Sequence, residues 1–139
     1  MIILDTNVLS AVMAVRRDQI VVDWLSNWPP GRLFTTSVSE ADIRYGISLL
    51  PQGSRRIALQ DAADFLFEND FAGRILPFDR PAAREYAAVM AERRRRGRPI
   101  ATLDAQIAAI ARSRGAAVAT RNTTDFDDCE VDLINPWDS

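Results

Sequence analysis

An aspartate that directly follows a short apolar run is the residue of this chain best situated to do chemistry. Ile2, Ile3 and Leu4 precede Asp5, and the small polar pair Thr6 and Asn7 follows it. A continuous apolar run of this length reads as a strand buried on both faces of a parallel sheet, with Asp5 at its carboxyl end. Ligands of such sheets bind beyond the carboxyl ends of the strands, where a carboxylate can meet a cation or a phosphate. Asp, Thr and Asn are also good helix N-caps, so capping of the next helix explains the position equally well.

Other acids fall where they could join Asp5. Asp104 lies in the first turn of a helix expected from Ala101 to Arg114, where the helix dipole alone favours a carboxylate. Thr120, Asn122 and Asp125 belong to a polar loop after the apolar run Ala117 to Ala119, predicted to reach the same rim as Asp5. A further segment offers two acids, Glu40 and Asp42. Ser37-Val38-Ser39-Glu40 fits a capping box, which gives Glu40 a complete structural role. Asp42 sits about 200° around the helix from Glu40 and has no such role. The helix is apolar on two sides, so its periodicity does not settle which acid faces the site. Acids from separated segments gain meaning only if they converge. Hard cations such as Mg²⁺ then bind through one or two carboxylates, waters and a substrate phosphate.

Composition narrows the chemistry further. The chain has no histidine, so the commonest general base and the commonest transition-metal ligand are both missing. Its basic residues are all arginine, which excludes a lysine Schiff base and a P-loop lysine. Cys129 is alone and can form neither an internal disulfide nor a zinc site. Any acid, base or metal chemistry must therefore run on carboxylates. A net charge of −2 does not suit nonspecific coating of nucleic acid, so an RNA ligand would need local basic patches and a bound cation.

The elements that must position these groups alternate between strand and helix. Strands are expected at residues 2–4, 33–36, 75–78, 117–120 and 131–134, the third demoted to a sheet margin by Pro77. Helices are expected near residues 8–15, 18–28, 37–50, 54–68, 81–96 and 101–114, with Asp79 capping the fifth and Gly115 ending the sixth. This order predicts a single α/β domain over residues 1–139, with a mostly parallel central sheet flanked by helices. No leader segment and no run near the roughly 20 apolar residues of a membrane span is present, so a cytoplasmic protein without membrane contact is expected.

Arg93, Arg94, Arg95, Arg96 and Arg98 form the most conspicuous charge run. Two explanations stand: cations that offset a helix dipole and remain solvated, and a phosphate-binding rim for RNA. Trp24, Trp28, Phe65, Phe67 and Tyr86 fall in helical patterns and are expected in the core or an interface rather than stacked on bases.

Taken together, the chain resembles the PIN-domain ribonucleases, in particular the VapC toxins of bacterial type II toxin–antitoxin pairs and the FitB-type proteins. The likeness runs through Ile3-Leu4-Asp5-Thr6-Asn7-Val8, the stretch Asp42 to Gly46, Phe71 to Phe78, Asp104 to Ala109, Ala119 to Asn122 with Asp125-Phe126, and Asn135-Pro136-Trp137. No one segment is diagnostic, but their order and spacing together are specific. The resemblance implies a PIN-like fold and a catalytic cluster of Asp5, Asp42 and Asp104. Asp5 and Asp104 would be direct ligands of Mg²⁺, or of Mn²⁺, and Asp42 would orient water or hold a second metal. Thr6, Asn7, Thr120, Asn122 and Asp125 would support them. It also implies an RNA substrate, a homodimer, and a VapB-type antitoxin that lays a helix and a strand over the toxin's groove, with a higher assembly formed between them.

Two positions depart from the family. Asp42 stands where glutamate is usual and is shorter by one methylene, and Asn122 stands where a fourth aspartate is often found. These departures leave open a catalytically weak or inactive module that binds RNA or antitoxin. A phosphatase or phosphotransferase with Asp5 as nucleophile is the other alternative, although Asn7 occupies the second acidic place of its Asp-x-Asp pattern.

Overall fold

The computed structural model describes residues 1–138. The apolar run at the start forms β1 (Ile2–Leu4), and the other strands are β2 (Leu33–Thr36), β3 (Ile75–Leu76), β4 (Ala117–Ala119) and β5 (Leu133–Ile134). They make one sheet in the order β3-β2-β1-β4-β5, and every pairing is parallel. Pro77 directly follows β3, and that strand does lie at the sheet edge.

Six helices connect and cover the strands: α1 (Thr6–Met13), α2 (Gln19–Ser26), α3 (Ser37–Ser48), α4 (Ser54–Phe65), α5 (Arg80–Arg95) and α6 (Thr102–Arg114). Successive side chains of a strand point to opposite faces, and both faces here are covered. Ile3 and Val118 pack into one apolar cluster with Val89 of α5 and Ile107 and Ile110 of α6. Ile2, Leu4 and Ala119 pack into another with Val8 and Leu9 of α1, Val21 and Trp24 of α2, and Ile43 and Ile47 of α3.

Several boundaries are set by identifiable residues. The Asp79 carboxylate accepts from the Ala82 N–H at 3.1 Å at the start of α5. Gly115 closes α6 with φ of 62°, a left-handed conformation that glycine adopts without steric cost. Other expectations shift. The fourth helix does not continue to Glu68 as an α-helix, because residues 66–70 form a wider π-helical turn that buries Leu66 and Phe67. Of the aromatics expected in the core or an interface, Trp24 and Phe67 are buried in the core, while Phe65 is exposed on this chain and so is not a core residue.

The sheet order places β1 between β2 and β4, and the connections leave it in opposite directions on its two sides. Such a switch point opens a crevice at the carboxyl ends of the two central strands. Asp5 and Thr120 are the residues that leave those two ends. Among the described residues, no helix is long and apolar enough to cross a membrane.

Candidate active site

Asp5 is held on all sides. Its N–H donates to the Ala119 carbonyl at 2.9 Å, which continues the β1–β4 register by one residue. One carboxylate oxygen accepts from the Thr6 N–H at 2.8 Å, and the other accepts from the Thr120 hydroxyl at 2.8 Å and the Asn7 amide at 3.4 Å. The Asn7 amide also donates to Thr120 Oγ1 at 3.3 Å, and Asn7 Oδ1 accepts from the Arg121 N–H at 3.2 Å. The Asn122 N–H completes the net by donating to Thr120 Oγ1 at 3.1 Å. Both explanations of Asp5 are therefore present in one side chain: it is the N-cap of α1, and it lies buried where three segments meet. Burial pushes its pKa up, the Thr120 and Thr6 hydrogen bonds oppose the rise, and the charges of Asp42 and Asp125 add to it.

Asp104 approaches from the first turn of α6. No side chain caps that helix at Ala101, so its amide end meets the site without a local carboxylate cap, and the dipole favours the nearby Asp104 anion. Burial nevertheless raises the Asp104 pKa to about 6, assisted by the charges of Asp5, Asp125 and Asp42 and opposed by the Arg93 guanidinium. Acids from four segments thus bear on Asp5 and Asp104.

Asp5, Asp42, Asp104 and Asn122 line a single cavity of about 580 Å³, with Thr6 and Asn7 in its wall. Asp125 is not in the lining, yet its charge reaches both Asp5 and Asp104. Among the described residues, no three acidic or cysteine side chains are packed tightly enough to encage a metal unaided. The donor set is all oxygen, and its charges raise the cost of ionising its own members. A hard divalent cation that takes one or two carboxylates, completes its shell with water and phosphate, and offsets that repulsion fits these residues.

The capping box expected to set Glu40 apart from Asp42 does not form. β2 runs into α3 without a loop, so Thr36, not Ser37, is the N-cap, and its hydroxyl accepts from the Ser39 N–H at 3.1 Å. Glu40 is occupied instead by Arg44 at 2.8 Å, and Arg44 also binds Asp64. Asp42 faces the cavity.

The arginine run divides, and Arg93 must be removed from the expected RNA-binding rim. It is buried under the turn at residues 123–127 and hydrogen-bonded to main-chain carbonyls. Arg95 and Arg96 pair with Glu92, while Arg96 and Arg98 pair with Asp128, and Arg98 also with Asp127. Arg94 is exposed and makes no ion pair among the described residues.

Two neighbours of the site were missed from sequence. Ser39 is fully buried, and its hydroxyl lies 3.1 Å from that of Thr6. Its signal was present, since it precedes Asp42 by one helical turn. Arg121 stacks on Trp137, its guanidinium carbon 4.6 Å from the ring centroid, and the Trp137 indole N–H donates to Asp18 at 2.9 Å. No local pattern announces that contact between a loop and the chain's last turn.

Comparison with known proteins gives a consistent outcome. Residues 2–130 match the family model of the PIN domain. The chain is 38% identical to the VapC ribonuclease Y4jK of Sinorhizobium fredii, over 99% of each chain. It is 36% identical to the toxin FitB of Neisseria gonorrhoeae, again over 99% of each. The solved structure of FitAB bound to an IR36 DNA fragment superimposes with a TM-score of 0.91 at 36% identity, covering 99% of this chain and 96% of that one.

Proposed function

The chain belongs to the PIN-domain family, and from that premise we propose that it is a metal-dependent endoribonuclease acting as the toxin of a toxin–antitoxin pair. The observation that carries the reading is the convergence of Asp5, Asp42 and Asp104, from β1, α3 and α6, on one cavity at the carboxyl end of the sheet. Similarity to a VapC ribonuclease and to the FitB toxin supports RNA as the substrate class and the role of a toxin. The FitAB assembly supports a small protein antitoxin as partner.

Asp5 and Asp104 would hold Mg²⁺ or Mn²⁺, with Asp42 ordering water or a second ion. Bound there, the cation supplies a nucleophilic water at neutral pH and offsets the negative charge of the phosphate. The chain's own contribution is positional. Thr120, Thr6 and Asn7 fix the Asp5 carboxylate so that its lone pairs need no reorganisation when ligand arrives. Asn122, in the cavity lining, offers an amide that can accept from a water or donate to a phosphate oxygen. Arg94 and Arg121 are among the exposed cations that could meet the RNA backbone.

The test is cleavage of labelled RNA in Mg²⁺ or Mn²⁺ and in chelator. Asp5→Asn is expected to abolish cleavage while the far-ultraviolet circular dichroism is unchanged; undiminished cleavage by that variant would sink the reading. One observation favours a second reading, a weak or inactive binding module: no trio of acids among the described residues is preassembled, and Asp42 is one methylene short of the family's glutamate. Wild-type protein that binds RNA but cuts none in either metal would select it.

A further inference from the structure

We infer that Arg93 is a positioning residue for the acidic cavity, its guanidinium tying the segment that leads into Asp104 to the turn that carries Asn122 and Asp125. The inference rests on the active-site reading above but concerns a residue outside the cavity lining. Arg93 lies in the last turn of α5 and is 5% exposed. Its Nε–H donates to the Arg98 carbonyl at 2.7 Å, and the Arg98 N–H returns a bond to the Arg93 carbonyl at 2.9 Å. One terminal nitrogen donates to the Asp125 and Asp127 carbonyls at 2.9 and 3.0 Å and lies 3.7 Å from Cys129 Sγ.

These partners belong to two segments with separate consequences for the site. Residues 98–101 deliver the chain to the first turn of α6, where Ala101, Leu103 and Asp104 line the cavity. Residues 122–127 carry Asn122, in the lining, and Asp125, whose charge acts on Asp5 and Asp104. Among the described residues no main-chain hydrogen bond joins these segments; the Arg93 guanidinium bridges them by donating to carbonyls of both, beside the exposed Arg98–Asp127 ion pair. Among the described residues, Arg93 has no carboxylate within ion-pair distance, so its buried charge is balanced by carbonyl dipoles and the acidic cavity. A fork of fixed donors suits that role, and an ammonium does not reproduce it. A plain loop staple would need no charge at this place, because a buried charge without a paired anion is costly.

The discriminating measurement is Mn²⁺ affinity of the intact, metal-free protein, followed by electron paramagnetic resonance, beside its melting temperature. Arg93→Lys and Arg93→Gln are expected to weaken Mn²⁺ binding by roughly 10–100-fold, the usual range for partners that orient metal ligands. Val21→Ala, a core truncation in α2 on the opposite layer, lowers the melting temperature but should leave Mn²⁺ affinity within about twofold. Arg93 variants that melt earlier yet bind Mn²⁺ as the wild type does would overturn the inference. Should both variants fail to fold, amide exchange of the wild type decides: Mn²⁺ is expected to slow exchange in residues 98–101 and 122–127 together, and slowing in one segment alone overturns the coupling. Wild-type Mn²⁺ affinity that Asp5→Asn leaves unchanged would instead overturn the site itself, and this inference with it.

Discussion

Two walls of the acidic cavity hold their carboxylates in opposite ways. On the sheet side, Asp5 is buried and receives hydrogen bonds from Thr6, Thr120 and Asn7, and the last two are themselves fixed by further bonds to the loop after β4. On the helix side, Asp42 and Asp104 are half-buried, and among the described residues neither carboxylate receives a hydrogen bond or an ion pair. A carboxylate already bound to donors has lost its rotamer freedom and much of its water before any ligand arrives. One without donors retains both. The difference teaches that the site combines a fixed anchor with adjustable arms. On the proposed metal-site reading, the anchor would set where a cation sits, and the arms how tightly it is closed upon.

Breaking the anchor gives the largest expected effect short of removing Asp5. Thr120→Val keeps the shape but deletes a hydroxyl that donates to Asp5 and accepts from the Asn122 N–H and the Asn7 amide. Loss of such an orienting partner lowers metal affinity or activity by roughly 10–100-fold. The groups left unsatisfied cost about 1–3 kcal/mol of stability, readable in urea unfolding. If cleavage rate and unfolding midpoint both stay at wild-type values, the anchor is not anchored and the contrast collapses.

The next prediction concerns an arm and has the opposite sign for stability. Asp104 has its folded pKa raised from 3.8 to about 6, chiefly by burial and then by Asp5 and Asp125. An acid with a raised folded pKa stabilises the protein only while protonated. The metal-free fold therefore loses stability as pH rises through the window from about 4 to about 6, and the loss is complete above it. The shift corresponds to at most about 3 kcal/mol, reduced by the solvent that reaches a half-buried group. Asp104→Asn should melt higher than wild type at pH 7 without metal, and the two should converge near pH 4. Added Mn²⁺ should raise the wild-type melting temperature and leave that of the variant nearly unmoved. A variant that melts lower at pH 7 would show that the carboxylate is held after all.

The anchor was far more legible in the sequence than the arms. Ile2, Ile3 and Leu4 fix a buried parallel strand, and the polarity of such sheets then puts Asp5 and Thr120 at one rim with no knowledge of the rest. Pro77 marked the edge strand and Gly115 the end of α6 for reasons equally local. What escaped depended on contacts distant in the chain. Arg93 reads as one more exposed cation, solvated or part of a phosphate-binding rim, because its carbonyl partners lie 32 and 34 residues away and nothing nearby reveals that they fold over it. The start of α3 slipped by one residue because Thr36 and Ser37 are both able caps, and only the absence of a loop after β2 decides between them. The stacking of Arg121 on Trp137 escapes for the same reason as Arg93.

Asp42 carries the smallest prediction and the one that sharpens the contrast most. Lengthening the side chain by one methylene, as Asp42→Glu, breaks no hydrogen bond, because none reaches this carboxylate among the described residues. The position is half-buried at the face of α3 that borders the cavity, so the added methylene has open space to enter. Stability should therefore stay within about 0.5 kcal/mol of wild type. An adjustable arm that gains reach should close better on a cation, tightening Mn²⁺ binding by roughly twofold to tenfold, or about 0.4–1.4 kcal/mol. Cleavage at limiting Mn²⁺ should rise in proportion, while the rate at saturating Mn²⁺ changes less. Weaker Mn²⁺ binding by Asp42→Glu would mean that α3 already sets the distance for aspartate, making that wall as fixed as the sheet side.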